Sequence, residues 1–212
     1  MTLVTAWGTG VSAHRVDEYL QAARIAVEPD HVGIELDLTP GTAVADALLA
    51  TIDRDRDGSL STIEQAAYAR RVLGEMSLVL DGRPLPLQLA SSTFPDLGEA
   101  RRGEAGLRLR LRTGVPDLRP GPHQLTFTNA HLPEHSAYLA NALVPESERV
   151  AVTAQRRAVD QHELTIDFTL GATSAAITGS ASRAPLVVTL AFAAALIVPL
   201  TRRRPPREST SR

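Results

Sequence analysis

The chain has 212 residues, of which 43% are apolar and 22% charged. That is enough to bury one core of ordinary domain size, too short for a large multidomain enzyme and too apolar for a disordered polyampholyte. The 22 basic and 24 acidic residues leave a net charge of −2, which argues against general nucleic-acid binding. Every basic residue is Arg, as GC-rich codon usage produces, and Cys is absent, which excludes disulfides, Cys-ligated zinc or iron, and thiol catalysis.

Residues 1–13 end in Val11-Ser12-Ala13, a small-x-small pattern of the kind that precedes a signal cleavage site. The segment lacks Arg and Lys and its apolar stretch is short, so it reads as the remnant of a signal peptide, with His14 as the first residue of the exported chain. Two strands are expected next. Arg24–Glu28 is followed across Pro29-Asp30 by a run in which Val32, Ile34, Leu36 and Leu38 alternate with Gly33, Glu35 and Asp37. After the breakers Pro40 and Gly41, residues 42–52 carry apolar side chains at Val44, Leu48, Leu49 and Ile52, a helical spacing.

Residues 53–64 read DRDRDGSLSTIE. The spacing matches D-x-[DN]-x-[DN]-G-x5-E, the calcium loop of the EF-hand. Asp53, Asp55 and Asp57 place alternating carboxylates where they converge on one cation, and Gly58 permits the sharp turn. Ser59 supplies a backbone carbonyl, Ser61 acts through a water, and Glu64 is the bidentate ligand. An all-oxygen set fits a hard cation, Ca²⁺ better than Mg²⁺. Ser61-x-x-Glu64 also forms a capping box for a second helix that runs to about Leu73, so a helix pair is expected over 42–73. A lone loop of this kind fits an affinity of about 10⁻⁴ to 10⁻³ M and a structural role more than a signalling one.

The chain then returns to strands. Leu78–Leu80 and Leu85–Leu89 flank Asp81-Gly82, a strong hairpin signal. Leu107, Leu109 and Leu111 alternate with Arg108, Arg110 and Arg112, the pattern of a strand with one wet face. Further strands are expected at Leu125–Phe127, Val150–Val152 and Leu164–Leu170. About eight strands predict a mainly β fold, an immunoglobulin-like β-sandwich, with the helix pair inserted between its second and third strands. The exported domain is expected to span residues 14–170.

Residues 171–183 are small and polar and read as a linker. Ala184–Leu200 is uncharged throughout and spans about 25 Å as a helix, at the short limit for one bilayer crossing. Arg202, Arg203, Arg204 and Arg207 follow at once, which marks residues 201–212 as a basic cytoplasmic tail and puts the domain outside.

Six histidines remain: His14, His31, His123, His131, His135 and His162. A free α-amine next to the His14 imidazole would suit Cu²⁺ or Ni²⁺, and His131 or His135 could complete such a site. The Arg108/Arg110/Arg112 stripe reads as a solvated face rather than an anion site. No Walker loop, G-x-S-x-G or H-E-x-x-H occurs.

The small-residue cleavage site and His14, Asp17-Glu18-Tyr19-Leu20, LDLTPG at 36–41, the calcium loop, DGRPLPL at 81–87 and NAHLPEHSAYLANALVP at 129–145 resemble, taken together, bacterial EF-hand exported proteins with a C-terminal anchor. More loosely they are similar to the exported N-terminal regions of nickel/cobalt permeases of the hydrogenase- and urease-accessory type. The resemblance covers roughly residues 13–170. With one short span the chain would not transport by itself. The expected function is a non-enzymatic, Ca²⁺-stabilised exported domain, tethered to the membrane and meeting a membrane partner. One alternative is an accessory protein for nickel, cobalt or copper handling that uses His14. The other is a cell-envelope hydrolase drawing on Asp17, Glu18, Asp160 or Glu163.

Overall fold

The computed structural model describes residues 17–172. Strands β1 (Tyr19–Val27) and β2 (His31–Pro40) form an antiparallel hairpin in which Tyr19 faces Pro40 and Val27 faces Val32. Alternate residues of both strands are buried throughout, which is the period-two signature of a sheet with one dry face. Two helices follow, α1 (Ala45–Leu49) and α2 (Thr62–Gly74), and then β3 (Met76–Leu80), β4 (Arg83–Pro84) and β5 (Gln88–Thr93). Helix α3 (Leu97–Arg101) leads to β6 (Leu107–Gly114), β7 (Gly121–Asn129), a 3-10 turn at Pro133–His135, β8 (Ser136–Ala142), β9 (Val150–Arg157) and β10 (Glu163–Leu170).

The strands make two five-stranded sheets, in the orders β5-β6-β2-β1-β8 and β4-β3-β7-β10-β9. One core draws on both: Ile25, Ile34, Leu36 and Leu109 from the first sheet, Leu125, Phe127, Ile166 and Phe168 from the second. The fold is mainly β with few helices, and two sheets sharing a core are consistent with a β-sandwich. β1 pairs with β8 in parallel, while the other pairings among the described residues are antiparallel.

Several elements differ from the sequence expectation. The described residues form ten strands, not about eight. β8 has no readable pattern, because Leu139 points outward at 40% exposure while small Ala140 points in. The strand expected at 85–89 lies at 88–93 instead, an exposed edge strand set by its pairing with β6 and not by its own hydrophobicity. The first helix is five residues long, although helical turns continue to the bond from Asp53 N–H to the Leu49 carbonyl at 2.9 Å. α2 runs through Gly74, one residue beyond the expected end.

The hairpin at Asp81-Gly82 forms with φ of 49° and 77°, the pair of positive angles that suits the twist of its strands. The Arg stripe faces water and lies across β2 from acids: Arg110 is opposite Glu35 and Arg108 opposite Asp37. Arg24 on β1 completes the lattice at 3.1 Å from Glu35 and 2.7 Å from Asp37. The free edge of β8 is covered by side chains of β9. Arg157 donates to the Ala140 carbonyl at 2.7 Å, and Gln155 accepts the Ala142 N–H at 3.0 Å, which blocks further strand addition there.

The signal remnant with His14, most of the linker, the apolar run 184–200 and the basic tail lie outside the described residues. Among the described residues no helix is long and apolar enough to cross a membrane.

Candidate metal centre

Leu48, Leu49 and Ile52 anchor the α1 turns in the core and deliver Asp53, which is only 5% exposed, to the base of the acidic loop. Beyond it the chain curls back on itself, with Arg56 at φ 59° and Gly58 at φ 84°. Glycine takes the second of these without the Cβ penalty. The curl turns loop amides towards the carboxylates. Gly58 N–H donates to Asp53 Oδ2 at 3.2 Å, Asp57 N–H to Asp55 Oδ1 at 3.3 Å, and Ser59 N–H to Asp57 Oδ1 at 2.8 Å.

Asp53, Asp55 and Asp57 each offer one carboxylate oxygen, and these oxygens lie within 4.8 Å of one another. Asp55 and Asp57 are exposed, so acidity alone would carry little meaning there. Asp53 is different: its Oδ1 is buried and has no hydrogen-bond partner among the described residues. A buried carboxylate oxygen without a partner is costly, and a cation beside it removes that cost. The Asp57 N–H draws the Asp55 carboxyl down, but burial and repulsion from Asp57, Glu64 and Asp53 outweigh it and raise Asp55 above its ordinary value. Like charges crowded on one loop resist ionisation in the absence of a counterion.

Glu64 stands at the loop's exit rather than within the tight set of three. Its Oε2 accepts from Ser61 N–H at 3.0 Å and Ser61 Oγ at 2.8 Å, and its Oε1 from Arg54 N–H at 2.6 Å. Its own N–H donates back to Ser61 Oγ at 3.3 Å, which completes the capping box. The Ser61 hydroxyl, then the Arg54 and Ser61 amides, hold the Glu64 carboxyl below its ordinary value. One carboxylate thus ties the loop's entrance to its exit and to the start of α2. Ser59 uses its N–H on Asp57. The clustered donors of Asp53, Asp55 and Asp57 are all oxygen, the kind of set that could hold a hard cation.

Behind α2 lies a buried polar cluster that the sequence did not disclose. His131 is completely buried. Its Nδ1 lies 2.5 Å from Glu75 Oε2 and its Nε2 2.9 Å from Tyr68 Oη, and Tyr68 Oη lies 3.0 Å from Tyr19 Oη. The His131 carbonyl accepts from Gln21 Nε2 at 2.7 Å and Tyr138 Oη at 2.8 Å, and its N–H donates to Asn129 Oδ1 at 3.0 Å. The available signal was Gln21, a polar residue in the inward register of β1 between Tyr19 and Ala23. Glu75 and Tyr68 carried no such mark.

The structure therefore separates the two histidines considered together as metal ligands. Both ring nitrogens of His131 are engaged inside the protein, whereas His135 is exposed beside a cavity of about 310 Å³ that is also lined by Tyr19, Val44, Leu48 and Leu132. Of the other described histidines, His31 pairs with Asp30, His123 with Asp81 and His162 with Asp160. Asp160 is thereby engaged, while Asp17 and Glu18 precede β1 and Glu163 opens β10. Comparison with protein-family models, with curated proteins and with solved structures finds no match to this chain.

Proposed function

We propose that the protein binds one Ca²⁺ in the loop 53–64, an EF-hand joined to helices on both sides, and that the ion locks the local fold of a non-enzymatic domain. The observation that carries this is Asp53, whose buried Oδ1 lacks a hydrogen-bond partner among the described residues and whose carboxylate offers an oxygen within 4.8 Å of oxygens from Asp55 and Asp57. Asp53, Asp55, Asp57, the Ser59 carbonyl and Glu64 would hold the ion. Ca²⁺ tolerates the irregular, many-oxygen shell that such a loop offers, whereas Mg²⁺ demands a near-ideal octahedron and keeps its waters.

The domain is read as exported, and as tethered by the apolar run 184–200 with the Arg-rich tail on the cytoplasmic side, where it would meet a membrane partner. A cytoplasm-dependent reporter fused after Arg212 is expected to be active. Activity of an export-dependent reporter at that position would overturn the topology.

Calorimetric titration of the full chain with Ca²⁺ and with Mg²⁺ tests the site. One Ca²⁺ per chain, at a dissociation constant of about 10⁻⁴ to 10⁻³ M and tighter than Mg²⁺, is the expected result. No heat and no shift in melting temperature with Ca²⁺ would refute the reading.

A further inference from the structure

Helix α2 is held at both ends by groups with different chemistry. Its first turn carries Glu64, the last residue of the acidic loop. One turn later, Tyr68 reaches inward to His131, and Glu75, at the helix C-cap, reaches the other nitrogen of the same imidazole. The ring is thus clamped by two residues of one helix. It also meets Tyr19 and Tyr68 edge-on, at centroid distances of 6.1 Å and 5.5 Å.

The protons in this chain run in one direction. The Glu75 carboxylate only accepts, so Nδ1 carries the ring proton. Nε2 then accepts from the Tyr68 hydroxyl, and Tyr68 in turn accepts from Tyr19. A second proton on the ring would have to point at Tyr68 and reverse its hydroxyl towards Tyr19. Tyr19, which also lines the cavity bounded by Val44, Leu48, Thr51, Leu132 and His135, would then have to turn its own proton away from Tyr68.

The groups facing His131 are Glu75, Arg71 and Tyr68 on α2, Tyr19 on β1 and Tyr138 on β8. Burial is the largest influence and holds His131 below its ordinary value. Glu75 opposes that shift and Arg71 adds to it.

We propose that the Tyr68–His131–Glu75 clamp makes cation binding at the loop proton-linked: the loop holds its ion while His131 is neutral, and acidification that protonates His131 loosens α2 and weakens the ion. The proposal rests on the reading that this loop binds Ca²⁺. The coupling would run through a single element, because Glu64 and the Ser61 capping box open α2, the helix that carries Tyr68 and, at its C-cap, Glu75, whereas Asp53 follows Leu49 and Ile52 in the core. Linkage is reciprocal, so Ca²⁺ binding must expel a proton wherever His131 is partly charged.

The test is calorimetric titration of the full chain with Ca²⁺ at pH 7.5, 6.5 and 5.5, for the natural protein and for His131→Gln, whose side chain can still accept from Tyr68 but does not titrate. The affinity of the natural protein is expected to fall about tenfold from pH 7.5 to pH 5.5, and that of His131→Gln to change far less. A second readout needs no variant: at pH 6.5, binding heats in two buffers of different ionisation enthalpy are expected to reveal proton release. Equal pH dependence in both proteins, or no proton release from the natural one, overturns the linkage and leaves the Ca²⁺ site intact. Absence of Ca²⁺ binding at pH 7.5 overturns the site reading, and the linkage with it.

Discussion

Gly58 N–H donates to Asp53 Oδ2 at 3.2 Å and leaves Asp53 Oδ1 buried without a hydrogen-bond partner among the described residues. The loop amide satisfies one oxygen of a carboxylate that the core has already taken from water. The other is left with an unmet need that a cation would satisfy. Asp55 and Asp57, on the solvent side, each bring an oxygen within 4.8 Å of an oxygen of Asp53.

Asp53→Asn tests this relationship directly. The amide oxygen can keep the Gly58 bond, while the buried negative charge disappears. The variant is expected to fold and to lose the Ca²⁺-dependent rise in melting temperature. With the proposed site filled at a hundredfold excess over its dissociation constant, the natural protein would gain about 2.7 kcal/mol. Melts with and without Ca²⁺ compare the two, and an undiminished rise in the variant would remove Asp53 from the site.

Ser61→Ala tests the helix cap while leaving the three aspartates in place. The hydroxyl accepts from Glu64 N–H and donates to Glu64 Oε2, so its loss removes half of the capping box without touching Asp53, Asp55 or Asp57. A loss of about 1 kcal/mol in urea unfolding is expected in the absence of Ca²⁺. Glu64→Gln is expected to weaken Ca²⁺ strongly in calorimetry, since it removes the charge of the carboxylate proposed to close the loop on the ion.

Two glycines differ sharply in the room around them. A Cβ at Gly106 would come within 2.6 Å of Thr39 Oγ1 and 2.7 Å of the Leu38 carbonyl, because β6 enters the sheet directly against the end of β2. Gly106→Ala is expected to destabilise by about 1–3 kcal/mol. At Gly74, in the last turn of α2, nothing lies within 4 Å of a new Cβ, and Gly74→Ala is expected to stabilise by about 0.5 kcal/mol. Denaturant midpoints of the two variants should move in opposite directions.

The charged lattice on the outer face carries a pH signature. Hydrogen bonds from Arg24, helped by Arg110, hold Glu35 below its ordinary value of 4.5. Burial works against ionisation of Asp37, but hydrogen bonds from Arg108 and Arg24 outweigh it and keep Asp37 below 3.8. Because the folded values are depressed, this stability is present above the ordinary values and is lost as pH falls through the folded ones. Both acids are partly exposed, so Arg24→Met is expected to cost no more than about 1 kcal/mol at neutral pH. The difference from the natural protein should shrink below pH 4.5 in melts at successive pH values, and a difference that persists in acid would show that Arg24 acts through its packed stem.

How much of this was legible depends on distance along the chain. The acidic loop, its glycine and the capping box lie within twelve residues, and each rests on backbone angles and short-range bonds that the local residues dictate. The alternation of Val32, Ile34, Leu36 and Leu38, and of Leu107, Leu109 and Leu111, announced strands with one dry face because side-chain direction repeats every two residues. The Asp81-Gly82 turn was equally plain.

Tertiary structure alone decided what is joined across the chain. β8 lies parallel to β1 although nothing in SAYLANA marks it as a strand, since a sheet supplies hydrogen-bond partners to any segment laid against its edge. β5 takes its position from β6 for the same reason. His131 reads in the sequence as one of a pair with His135, yet the fold buries it against Glu75 and Tyr68, 56 and 63 positions away, and leaves His135 in solvent. Local chemistry set the loop and the strand faces. Which polar groups lost their water, and therefore needed one another, was settled only when the two sheets and α2 closed over a common core.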